Sequence, residues 1–250
     1  MQTNGDPGIS IGLVWPGYVR DDHREEVTRF VPDGADLHMG GTVSEPEQPE
    51  DITLERALAE AAKSDIEETA STLTTENVAA IGYGCTSMSY IRGVAGERDI
   101  HDRMATATGL PVATTSGAVA VALQYLGIGR VAVLSPHIDA MNERLRVYLE
   151  ESGFEVVALR GLNLRGDIED VPPQRILELI ADVDVPEADG VFVSCTGMMT
   201  STIIAKAEAI LDKPAVTANQ ATMWQLLRLA GAEPRIPNLG RLYAEPVAAR

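Results

Sequence analysis

The chain has 250 residues, 45% of them hydrophobic and 23% charged, a composition that excludes a disordered or low-complexity segment and suits two lobes of roughly 100 to 150 residues each. A formal charge of −17, with lysine only at Lys63, Lys206 and Lys213, leaves no basic patch for phosphates and excludes nucleic acid as a partner. No apolar run reaches the roughly 18 residues of a membrane span and the first ten residues carry no basic-then-apolar leader, so a cytoplasmic protein with no membrane partner is expected. In chain order, short apolar β-branched runs at 9–15, 78–83 and 112–114 read as buried strands, with a helix expected over 53–72. The pattern then resumes: strands at 131–135, 155–159, 190–194 and 215–218, and helices at 138–151, 173–183 and 202–211. Strands alternating with helices imply parallel sheets in an α/β fold.

The order of these elements repeats. IGLVWP at 11–16 parallels VAVLSP at 131–136, AIGYGCTSM at 80–88 parallels GVFVSCTGM at 190–198, and LPVATTSGA at 110–118 parallels KPAVTANQA at 213–221. The offsets of 120, 110 and about 103 residues keep the order while loop lengths differ, as in a duplicated unit. The expectation is two pseudo-symmetric lobes, each a parallel sheet flanked by helices: 1–117, and 118–219, with 220–250 packing back on the first. Ligands of open parallel sheets bind beyond the carboxyl ends of the strands, where every repeated motif ends, so the active site is expected in the cleft between the lobes.

The two cysteines, Cys85 and Cys195, occupy the same position in the repeat. A single cysteine is usually a small buried hydrophobe, but a core thiol has no reason to recur at the same strand end in both halves. In a reducing compartment they are expected as a facing thiol pair rather than a disulfide. Placed at strand-to-helix turns, both should have lowered pKa values through nearby backbone N–H groups and the positive helix end. Thr86, Ser87, Thr196 and Gly197 follow the cysteines, and their hydroxyl and N–H groups suit a carboxylate or an enolate oxygen. The hydroxyl residues equally suit helix capping. Pro16 and its counterpart Pro136 end strands, Pro16 shaping the pocket, and His137 at a strand end could donate to a substrate carboxylate. His23, His38 and His101 stand at no metal-ligand spacing, and neither a phosphate loop nor a dinucleotide fingerprint occurs, so neither metal nor organic cofactor is expected.

These residues carry a resemblance. The segments WPG at 15–17, GCTSMSYIRG at 84–93, IDAMNERL at 138–145, VSCTG at 193–197 and GRLY at 240–243 resemble the aspartate/glutamate racemase superfamily, in its branch of maleate cis-trans isomerases and arylmalonate decarboxylases. The resemblance implies two lobes, a small carboxylate or dicarboxylate held between them, and chemistry by cysteine alone. By motif it makes Cys85 the nucleophile of an isomerase and Cys195 its proton-transfer partner. The decarboxylases have glycine where Cys85 stands, so Cys85 favours isomerisation or racemisation. Against that, this chain has Pro16-Gly17-Tyr18 where maleate isomerases carry Asn, and His137 where Tyr is frequent. Decarboxylation of a substituted malonate with Cys195 as proton donor, and a non-catalytic two-lobed carboxylate binder, are the competing readings. Whether identical chains assemble into a homo-oligomer is not written in the sequence.

Overall fold

The computed structural model describes residues 8–45, 51–63 and 65–244. Eight strands form two four-stranded, all-parallel sheets among the described residues. The first contains β1 (Ser10–Trp15), β2 (Asp36–Gly41), β3 (Ala80–Tyr83) and β4 (Val112–Thr114), in the order β2-β1-β3-β4. The second contains β5 (Arg130–Ser135), β6 (Glu155–Gly161), β7 (Gly190–Val193) and β8 (Ala215–Thr217), in the order β6-β5-β7-β8. The orders are the same under the correspondence that the repeated motifs give. β3 and β7 are buried at every residue, which is why their sequences read as continuous apolar runs rather than alternating ones.

Among the described residues ten helices flank the sheets: α1 (Asp21–Thr28), α2 (Leu54–Glu60), α3 (Asp65–Leu73), α4 (Thr86–Tyr90), α5 (Gly93–Thr108), α6 (Thr115–Tyr125), α7 (Asp139–Glu151), α8 (Pro173–Val183), α9 (Ile204–Leu211) and α10 (Ala218–Leu229), together with three short 3-10 turns. The helix expected over 53–72 is two. Thr53 caps α2 by accepting from the Arg56 N–H at 3.2 Å, and the chain turns after Ala61 so that α2 borders the cleft while α3 covers β1 and β2. Edge strand β2, DLHMGG, escaped the sequence reading because it lacks β-branched residues. Its Gly40 is required where α3 crosses, since a Cβ there would stand 2.8 Å from the Thr69 methyl.

The duplication extends to helix starts. Thr114 and Thr217 both cap the helix that follows, Thr114 accepting from the Gly117 N–H and Thr217 completing a capping box with Gln220. α6 and α10 pack together, and the Thr222 hydroxyl on α10 donates to that of Thr115 at 3.0 Å. α10 also packs on β3 and β4 of the first sheet, Leu226 lying against Gly82, and the Tyr243 hydroxyl beyond it donates to the Phe30 carbonyl at 3.1 Å. One hydrophobic cluster therefore includes Ile11 and Leu13 of β1, Val131 and Val133 of β5, and Leu226 and Leu227 of α10. Residues 1–7 and 245–250, the outer ends of the expected first lobe and returning tail, and residues 46–50 and 64 lie outside the described residues.

Candidate active site

The carboxyl ends of β1, β3, β5 and β7 converge on a cavity of about 370 Å³. Both cysteines line it as free thiols, Cys85 two and Cys195 two residues beyond the ends of their strands, β3 and β7. Pro16, Ser87, His137, Thr196 and Gly197 line the same space. Thr86 does not: its hydroxyl is buried beneath the loop without a partner among the described residues, and its carbonyl accepts from Ser89 and Ser116. The Thr196 hydroxyl donates across the halves to the Gly84 carbonyl at 3.1 Å, which ties the two cysteine loops together. Gly84 is required at this junction because a Cβ there would meet the Trp15 ring at 2.9 Å.

The two loops are related but not equivalent. Cys85 is extended (φ −144°) and caps α4, whereas Cys195 has φ +83°, a left-handed conformation uncommon for a residue with a side chain. The expectation of a helix directly after each cysteine therefore holds for the first and fails for the second. After Cys195 the N–H groups of Thr200 and Ser201 donate to the buried Glu26 carboxylate of α1, at 2.7 and 2.9 Å, and α9 begins only at Ile204. What the loops share is a pair of N–H groups aimed at the sulfur, from Ser87 and Met88 around Cys85 and from Gly197 and Met198 around Cys195.

Burial decides the protonation of both thiols and reverses the lowered pKa values expected for them. Desolvation raises Cys85 above the ordinary thiol range, and the N–H groups and the Ser87 hydroxyl, 3.7 Å from the sulfur, offset this only in part. Desolvation pushes Cys195 up to about 12, with further upward contributions from Cys85 and from the Glu169 carboxylate. Both are therefore thiols at neutral pH. Burial lowers His137 to about 4, so its imidazole is neutral, and neither ring nitrogen has a partner among the described residues. Its loop is held by Asn142, whose Nδ2 donates to the His137 carbonyl at 2.8 Å.

Sequence reasoning missed a second polar group in the cavity. His23 on α1, buried and stacked 4.6 Å from the Trp15 ring, donates from Nε2 to Glu169 Oε1 at 3.1 Å, and both line the cavity. His23 holds the Glu169 carboxyl below its ordinary value, against a desolvation cost that acts the other way. No local signal marks this pair, which is 146 residues apart in the chain. The wall formed by α2 and the start of α3 adds Arg56, Glu60, Lys63 and Asp65, with Lys63 paired to Glu60 at 2.6 Å. Among the described residues no three His, Cys, Asp or Glu side chains gather as a metal site.

Comparison with known proteins places this geometry. Residues 53–243 match the profile of a family described as arylmalonate decarboxylase. The arylmalonate decarboxylase of Bordetella bronchiseptica is 36% identical over 165 residues, covering 64% of this chain and 69% of its own length. A maleate isomerase of Pseudomonas putida is 30% identical over 180 residues, covering 69% and 72%. Among solved structures, a double variant of arylmalonate decarboxylase in liganded form superposes with a TM-score of 0.82 at 30% identity, over 94% of this chain and 98% of that one. With its two cysteine loops on one cleft and a match that spans both lobes, this chain belongs to the arylmalonate decarboxylase family of enzymes.

Proposed function

We propose that the chain is a cofactor-independent isomerase of small cis-dicarboxylates of the maleate type, with Cys85 as nucleophile and Cys195 as proton-transfer partner. The observation that carries the reading is the pair of thiols on equivalent loops lining one cavity. Cys85 first releases its proton to solvent water, which returns it when the thiolate is expelled; the thiolate adds its sulfur lone pair to one alkene carbon, and the π pair moves to the neighbouring carbon and its carboxylate. The former double bond, now single, rotates. Cys195 lends its proton to the carbanionic carbon and takes it back, and return of the electron pair expels the Cys85 thiolate with the trans acid, so atoms and electrons balance.

Neutral donors hold the substrate in this reading: the Ser87 hydroxyl, the His137 ring N–H, and the N–H groups of Ser87, Met88, Gly197 and Met198. The Thr196 hydroxyl, engaged with Gly84, positions the loops, Pro16 and Gly197 shape the walls, and Thr86 contributes through its backbone.

A second reading, decarboxylation of a substituted malonate, is supported by the higher identity to the Bordetella decarboxylase. There the carbon–carboxylate bond breaks, the pair stays on the α-carbon as an enediolate, Cys195 protonates that carbon, and CO₂ leaves. The experiment that separates them assays Cys85→Ala and Cys195→Ala on maleate and on an aryl-substituted malonate, by proton NMR in heavy water. Isomerisation predicts loss of at least about 10²-fold in both variants, and a transient mass increase on the Cys85 peptide of intact enzyme. Full turnover of the malonate by Cys85→Ala removes the isomerase reading and leaves the decarboxylase.

A further inference from the structure

The His23–Glu169 pair belongs to neither cysteine loop, yet it opens on the same cavity and spans the lobe boundary. Glu169 sits in a 3-10 turn (Ile168–Asp170) of the second half, and His23 on α1 of the first. Glu169 Oε1 leans on the Cys195 loop: a Cβ built at Gly197 would lie 3.3 Å from it. It receives the His23 Nε2 hydrogen bond at 3.1 Å, and His23 is pinned by the Trp15 ring, so the carboxylate has one fixed orientation.

We propose that Glu169, oriented by His23, is a positioning residue whose fixed negative charge adds to burial in holding the Cys195 thiol protonated as the acid of the reaction. The inference rests on the reading of Cys195 as proton donor, common to both proposed chemistries. Its physical basis is that a carboxylate close to a thiol in a water-poor cleft disfavours a second negative charge. Of the charges that act on Cys195, those of Cys85 and Glu169 both raise it, behind the larger upward push of burial, and Arg56, Glu60 and Asp65 also line the cavity. Those acting on Glu169 are His23 and Arg20, with Asp22 beside His23 and Asp170 beside Arg20. Across the cavity His137 is neutral and Lys63 is paired with Glu60. Tyr90 is buried with its phenol held neutral by desolvation. Glu169 thus adds its charge to the burial that already raises Cys195, and because its contact is with the Cys195 loop, Cys195 should carry its imprint more strongly than Cys85.

The test reads alkylation by iodoacetamide of each cysteine separately, by peptide mass spectrometry, from about pH 7 to 9. Below its pKa a thiol alkylates in proportion to its thiolate fraction, so Glu169→Gln should speed Cys195 by roughly tenfold at each pH, with Cys85 unchanged within about twofold. Glu169→Asp, which restores the charge, should return Cys195 towards the wild-type rate. Equal acceleration of both cysteines would mean that the pair only clasps the lobes, and an unchanged Cys195 rate would mean that Glu169 has no hold on it. Either result overturns the proposal. Alkylation needs no turnover, so failure of the assigned substrates and failure of this inference are read separately.

Discussion

At the scale of single residues the site is governed by desolvation. Both thiols are protonated in the free enzyme, and the two proposed chemistries use opposite forms of them. Isomerisation needs the Cys85 thiolate, so kcat/KM on maleate is expected to climb with pH from about 7 to 9 without a plateau, because the Cys85 pKa lies above that range. Decarboxylation needs only the Cys195 thiol, which persists up to about 12, so its kcat/KM should be flat over the same interval. Stopped-time assays across that range separate the two. His137 gives a second pH signature. Folded, it stays neutral down to about 4, while the unfolded chain takes up the proton near the ordinary 6.5, so stability falls as the pH drops through that window and levels off below it. The loss at the low end is about 3 kcal/mol. Urea unfolding of His137→Asn across the same window should show a shallower acid loss. A slope equal to that of wild type would mean that the acid sensitivity comes from other groups, such as Glu169 or Asp22, whose carboxyls are held low in the fold.

At the scale of elements, α1 acts as a bracket between the halves. Glu26 is buried, and its carboxylate accepts from the N–H groups of Thr200 and Ser201 and from the Ser201 hydroxyl at 2.6 Å. It thereby replaces the intrahelical carbonyls that the segment after Cys195 forgoes, and it fixes the loop in which Cys195 is left-handed. Glu26→Ala is expected to cost about 3 kcal/mol in chemical denaturation, since three buried donors lose their acceptor, and Glu26→Gln about half as much. Activity should fall further than stability accounts for, because Cys195 loses its frame. An alanine variant as stable as wild type would show that water satisfies these donors.

At the scale of the whole molecule we propose the division 1–117 and 118–219, with 220–250 returning to the first lobe. The packing of α10 on β3 and β4 and the Tyr243 to Phe30 hydrogen bond support it. Because α10 and α6 interlock and one apolar cluster draws on both sheets, thermal unfolding should be a single transition, with calorimetric and van't Hoff enthalpies equal. Two resolved transitions would show that the lobes fold independently. The charge of −17 is self-repelling at low ionic strength, and Tm should rise by about 5 °C or more between about 0.1 and 3 M KCl as that repulsion is screened. A flat response would show that this charge carries no folding penalty and would leave the catalytic readings untouched.

The sequence by itself determined seven of the eight described strands, their parallel arrangement, the duplication and the placing of the two cysteines at equivalent strand ends. These depend on short-range apolar patterning and on motifs that repeat along the chain, both of which survive without coordinates. Strand β2 was lost because it carries no β-branched residue and its Gly40 answers to α3, a neighbour that its own pattern does not announce. The tertiary structure alone decided that burial keeps both thiols protonated, that Thr86 does not line the cavity, and that Glu26 replaces a helix start after Cys195. It also joined His23 to Glu169. Desolvation and pairing between residues 146 or 174 positions apart are properties of what surrounds a group after folding, and no local pattern encodes them.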